Sequence, residues 1–203
     1  MARPRHKRLL IAGALVAVVS TAVVLVYMGR QGSVALHEAV ADGNVTEVRR
    51  LLDRGVSPSA SHRVLGVPDV NVKMIRKEVA FLEAASKGHT EIVRLMLDRG
   101  ADIELKNEWG RTALTFSAQN DRLDTTSLLI ERGADVMAAD EKGFTPLIWA
   151  AMSGSPEMVA LLLEAGATDR AGPGGRTALS TAAYRKEPEK SEIEALLDPP
   201  EPG

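Results

Sequence analysis

Residues 145–166 read TPLIWAAMSGSPEMVALLLEAG. Thr145 offers a hydroxyl to the orphan N–H groups of a helix start, and the fixed φ of Pro146 suits a first helical turn. Ala150 and Ala151 are small, as if another backbone passes close by. Gly154 breaks the run. A second run follows with apolar residues at helical spacing, and Gly166 supplies the left-handed conformation that closes a helix. Trp149, one of two tryptophans in the chain, stands beside the alanines. Its size conflicts with close packing unless its face of the helix is free.

The unit recurs. VALHEAVADGNVTEVRRLLDRG begins at Val34 and VAFLEAASKGHTEIVRLMLDRG at Val79. Gly-Ala pairs at Gly100-Ala101, Gly133-Ala134 and Gly166-Ala167 lie 33 residues apart. Thr112, Thr145 and Thr177 open similar blocks, TAL, TPL and TAL. In each full block the glycine comes 21 residues after the opening. A fixed period of this size marks a solenoid, in which each unit is two short helices and stacking buries the apolar stripes.

These blocks resemble the ankyrin repeat over about residues 33–198. The resemblance rests on the period, on T-P-L at Thr145–Leu147, on G-H-T-E-I-V at Gly88–Val93 and on G-A-D at Gly100–Asp102 and Gly133–Asp135. It implies an all-α solenoid of about five helix–turn–helix repeats: 34–78, 79–111, 112–144, 145–176 and a terminal cap at 177–198. It also implies that His37 and His89 are structural, their rings bonded to neighbouring backbone.

Three departures carry expectations. Repeat three has Asp121 where a turn glycine belongs and Thr125-Thr126 where an apolar pair belongs, so its second helix is expected to be weak. Repeat five lacks the turn glycine, as suits a polar cap. From Gly55 to Val79 is 24 residues against the usual 12. The connection between repeats in this family is a finger-like hairpin, so the finger at 57–78 is expected to be longer. It is either a tolerated insertion or a recognition loop.

In this fold, partners bind to the groove-facing side of the first helices and to the fingertips. One variable slot there holds Glu38, Glu83, Phe116, Trp149 and Thr181 in successive repeats. Gln119 and Met152 are expected on the same side, Trp109 at a fingertip and Phe144 at the base of the next finger. Trp149, Phe116, Trp109, Met152, Gln119 and Phe144 are therefore the candidate partner-binding residues, since aromatics and Met anchor interfaces. The alternative is that Trp149 leans on a neighbouring helix and fills space left by the alanines.

Before the repeats, residues 9–28 read LLIAGALVAVVSTAVVLVYM, twenty residues without charge. At about 1.5 Å per residue such a helix spans roughly 30 Å, the thickness of a bilayer's hydrocarbon core. Arg3, Arg5, Lys7 and Arg8 precede it and Arg30 follows. The chain thus reads as a basic cytoplasmic tail (1–8), a transmembrane helix (9–28), a linker (29–33), the extracytoplasmic repeats and a tail (199–203). In a bacterium that is a single-pass inner-membrane protein with a periplasmic domain. Cleavage as a signal peptide near Ser20-Thr21-Ala22 is the competing reading, and it would leave an exposed apolar remnant.

The chain is 203 residues long and 3% aromatic. Without cysteine it has no disulfide, thiolate or Cys-ligated zinc. After residue 30 there are 20 basic and 27 acidic residues, a net of −7, which argues against nucleic acid as partner. Its histidines have no metal-ligand spacing, and GPGG at 172–175 lacks the Lys-Ser/Thr of a phosphate loop. No nucleophile–base arrangement is visible. The expected function is a membrane-anchored module that binds another protein, without cofactor, metal or catalysis. Bacterial ankyrin proteins of this kind include accessory, inhibitory and self-protection factors. A cytoplasmic-side adaptor and an enzyme or small-ligand receptor using the groove are the alternatives.

Overall fold

The computed structural model describes residues 32–59, 61–63, 77–172 and 175–198. The basic tail, the apolar span 9–28, the interior of the long finger and residues 199–203 lie outside them. Among the described residues no helix is long and apolar enough to cross a membrane.

Among the described residues five helix pairs follow one another. They are α1 (32–41) with α2 (Val45–Asp53), α3 (Ala80–Lys87) with α4 (Thr90–Asp98) and α5 (Ala113–Gln119) with α6 (Leu123–Glu131). Then come α7 (Pro146–Ser153) with α8 (Pro156–Glu164) and α9 (Ala178–Ala182) with α10 (Glu189–Leu197). First helices stack on first helices, α3 on α5 on α7 on α9, and second helices on second helices, α2 on α4 on α6 on α8 on α10. Helix α1 begins at Gly32, so residues 32 and 33, expected as linker, are already helical.

The recurring sequence features map onto recurring bonds. The hydroxyls of Thr112, Thr145 and Thr177 accept from the N–H groups of Thr115, Ile148 and Ser180, capping the first helices. The Gly-Ala pairs close the second helices. The N–H of Ala101 bonds to Met96 O (2.9 Å), that of Ala134 to Leu129 O (3.0 Å) and that of Ala167 to Leu162 O (2.9 Å). The glycine before each alanine has φ between 83° and 92°, the left-handed value this closure needs. Each alanine is buried against the core.

The described ends of the long finger form a short antiparallel ladder that reaches Val79, the expected opening of the next repeat. Strands β1 (Ser61–Arg63) and β2 (Lys77–Val79) pair antiparallel, with Ser61 opposite Val79 and Arg63 opposite Lys77.

In repeat three the second helix is complete, and both departures from the repeat pattern have polar partners. Asp121 takes φ 57°, so it makes the left-handed turn itself. Its carboxylate also accepts from the N–H (2.8 Å) and hydroxyl (2.7 Å) of Ser155, the N-cap of α8. Helix α6 has nine residues, as α4 and α8 do. Thr125 and Thr126 are fully buried with bonded hydroxyls: Thr125 Oγ1 lies 2.8 Å from Thr90 Oγ1, and Thr126 donates to Ser117 Oγ (2.8 Å). The apolar core is nevertheless interrupted here. One buried cluster runs through repeats one to three, a second from Ala118 through repeat five, and partly buried Ile130 and Val136 pack against both.

His37 is as expected, its Nδ1 donating to Ser33 O at 2.8 Å. His89 differs. Its Nε2 is buried without a hydrogen-bond partner among the described residues, and its ring faces the Gly43 turn, where a Cβ would meet Cε1 at 3.1 Å. Burial first, then the charge of Lys87, holds its pKa below the usual histidine value.

Candidate functional site

Two fingers are built alike. In the first, Asn107 Oδ1 accepts from the N–H groups of Trp109 and Arg111, both at 3.0 Å. In the second, one repeat on, Asp140 Oδ1 accepts from Lys142 and Phe144, both at 2.9 Å. The N–H of Glu141 joins them by donating to Trp109 O at 2.9 Å. Having a carboxylate rather than an amide, Asp140 keeps a second charged oxygen for other work.

That oxygen holds Trp149. The indole Nε1–H donates to Asp140 Oδ2 at 3.1 Å. Arg111 lies over the indole with its guanidinium carbon 3.8 Å from the ring centre, and its Nε is 3.5 Å from Asp140 Oδ2, an ion pair without an aligned hydrogen bond. Phe144 meets the indole edge-on at 5.6 Å. Phe116 is 6.0 Å from the same guanidinium, which also donates through Nη1 to Gln119 Oε1 at 3.3 Å. Arg176 in turn lies 5.7 Å from the Phe144 ring centre. A ladder of rings and guanidinium groups thus crosses three repeats, its guanidinium–ring contacts of the kind that attracts a cation to an aromatic face.

The ladder changes the reading of Trp149. Expected in a slot the stack leaves free, it is only 8% exposed. The covering comes from Arg111 and Asp140, which belong to the fingers, rather than from the alanines. Phe144 is buried too, and Phe116 and Gln119 are half-buried. The slot before it, with Leu82, Thr115 and Ile148, is core. Two candidates remain open to solvent: Trp109 at the fingertip, 40% exposed, and Met152 on α7, 37% exposed. Trp109, Arg111, Asp140, Glu141 and Lys142 line one shallow depression. A second lies between α7 and α9, lined by Met152, Arg176, Ser180, Thr181, Tyr184 and Arg185, with Tyr184 91% exposed.

Arg111, Asp140, Arg176 and Tyr184 escaped the sequence reading, although spacing held a signal for three of them. Arg111 and Arg176 each precede the threonine that opens a repeat, and Tyr184 continues the row of Gln119 and Met152. Among the described residues no group of three or more His, Cys, Asp or Glu is placed to hold a metal ion.

Comparison with known proteins agrees with the helix pairs. A family model described as ankyrin repeats (3 copies) matches residues 36–140, 81–172 and 138–199. A probable E3 ubiquitin-protein ligase of Oryza sativa subsp. japonica, XBOS33, is 35% identical over 86 residues, covering 42% of this chain and 14% of that protein. The ankyrin repeat and KH domain-containing protein mask of Drosophila melanogaster is 36% identical over 88 residues, 43% of this chain and 2% of its own length. Serine/threonine-protein kinase 12 of Arabidopsis thaliana is 30% identical over 81 residues, 40% of this chain and 15% of that one. Each similarity thus covers a small part of a much larger protein. On the extent of the family match, the chain belongs to the ankyrin-repeat family.

Proposed function

We propose that this protein is a membrane-tethered module that binds another protein through the face formed by its first helices and fingers. Its repeats lie outside the cytoplasm, and it acts as an accessory, inhibitory or self-protection factor for that partner. Ankyrin repeats are interaction modules rather than catalytic ones. The observation that carries the reading is the set of open side chains, Trp109 in one depression and Met152 and Tyr184 in another, each beside a guanidinium group of the ladder. Large side chains on a rigid support lose little entropy on binding, which is what interface anchors require. The charge-free span at 9–28 with its basic flank supports the tether and the orientation.

The test places a photo-crosslinking residue at Trp109 or Met152 of the full chain in its native cells, with exposed Arg94 on α4 as the control. Expected is one protein captured from the first two positions and none from the third. Equal capture from all three sinks the groove reading. Reporters active in only one compartment, fused to the C-terminus, test the orientation. Activity on the cytoplasmic side would replace the extracytoplasmic reading with that of an adaptor.

A further inference from the structure

We propose that the groove between α7 and α9 binds an acidic segment of the partner protein, seating an apolar side chain against Met152 and Tyr184 and a carboxylate on Arg176. This rests on the protein-binding reading and gives its partner a chemistry. Arg111 and Arg176 hold equivalent positions in their repeats. Arg111 is neutralised by Asp140, whereas Arg176 has no carboxylate within ion-pair distance among the described residues. In the finger that Arg176 closes, the place of Asn107 and Asp140 is taken by Gly172, which has no side chain to offer.

The surroundings favour an anion. Residues 176–190 carry Arg176, Arg185, Lys186 and Lys190 against Glu187 and Glu189, a local excess of positive charge in an acidic repeat region. Both acids are engaged, Glu189 with Arg185 and Glu187 with Ser191. Beside these cations stand Tyr184, the most exposed of the large apolar side chains described, and Met152, a side chain that adapts to irregular apolar partners. Open apolar surface next to an uncompensated guanidinium suits a peptide that alternates acids with apolar residues. A polyanion without apolar groups would use the charge alone and would be repelled by the rest of the domain.

The experiment pans a random peptide library displayed on phage over the full chain in detergent. Selected peptides are then labelled and titrated against wild type, Arg176→Glu, Arg176→Lys and Tyr184→Ala. The proposal expects Asp or Glu mixed with Leu, Met or aromatic residues. Binding should be about tenfold or more weaker for Arg176→Glu and Tyr184→Ala, and close to wild type for Arg176→Lys. Thermal melts of the variants should match wild type, since both side chains are exposed. Neutral or basic peptides, binding indifferent to Arg176→Glu, or equal displacement by oligo(dT) overturns the proposal. A partner cross-linked at Trp109 that ignores Arg176→Glu also overturns it, while leaving the protein-binding reading intact. No partner and no enriched peptide sinks both.

Discussion

Trp149 joins α7 to the fingers through a hydrogen bond, a stacked guanidinium and an edge-on ring. Trp149→Ala should therefore destabilise the domain by about 3–5 kcal/mol, the usual cost of truncating a buried large aromatic. Trp149→Phe should cost less: it keeps a ring under Arg111 but leaves Asp140 Oδ2 without its indole donor, a loss of about 1 kcal/mol. Urea unfolding of both variants checks this, and a Trp149→Ala midpoint equal to wild type would mean the ring is free after all. The slot itself was legible, because its period places Trp149 and Phe116 on one face. Its covering was not. Arg111 and Asp140 lie 38 and 9 residues away in sequence and meet the ring only because one finger folds over the next. Nothing in the slot's own pattern tells an open side chain from one roofed by a neighbouring loop.

At the scale of the element, the turns and closures were the most legible features and Asp121 the least. An aspartate in a glycine slot reads as a defect until its second role is seen, which is to hold the start of α8. Asp121→Gly should relieve the left-handed backbone yet lose two bonds to Ser155, for a net loss of about 1 kcal/mol. Asp121→Asn, which keeps an acceptor, should lose less. A raised melting temperature for the glycine variant would show that backbone strain dominates. The α3–α4 turn makes a pH prediction. The pKa of His89 is lowered in the folded chain, so the unfolded chain takes up the proton first as pH falls. The associated stability is present above the unfolded value near 6.5 and is lost as pH drops from there toward the lowered folded value. Melting temperatures at neutral and mildly acidic pH should therefore diverge less in His89→Gln than in wild type. Equal divergence would assign the acid sensitivity elsewhere.

At the scale of the molecule, the five pairs and their period were readable because the same local bonds recur in successive repeats. The division of the core was only half readable. Thr115, Ser117, Thr125 and Thr126 stand where repeats two and four have Leu82, Ala84, Ile92 and Val93, and Ile148, Ala150, Met158 and Val159. The substitutions were visible; their mutual satisfaction by hydrogen bonds was not. In a stack whose units touch only their neighbours, such an interruption should separate two cooperative blocks. Native-state hydrogen exchange should find two protection classes, one covering repeats one to three and one covering repeats four and five. Ser117→Ala with Thr126→Val replaces both bonded partners by apolar groups of similar shape, which is close to neutral or stabilising by about 1 kcal/mol. It should also draw the two classes together. A single protection class in the wild type would refute the division.

The links across the junction of repeats three and four include several polar ones: Asp121 to Ser155, Ser153 to Gln119 O at 3.0 Å, and Trp149 Nε1 to Asp140 Oδ2 at 3.1 Å. Such bonds yield over a short displacement, whereas packed apolar faces slide before they part. Stretched end to end, the array should behave as a spring with one soft coil. In an optical trap, extension should begin at that coil and proceed in two rips, with the softness under the control of Asp121 and Asp140. If the chain is tethered as proposed and its far end grips a partner, that coil is where tension should first be taken up.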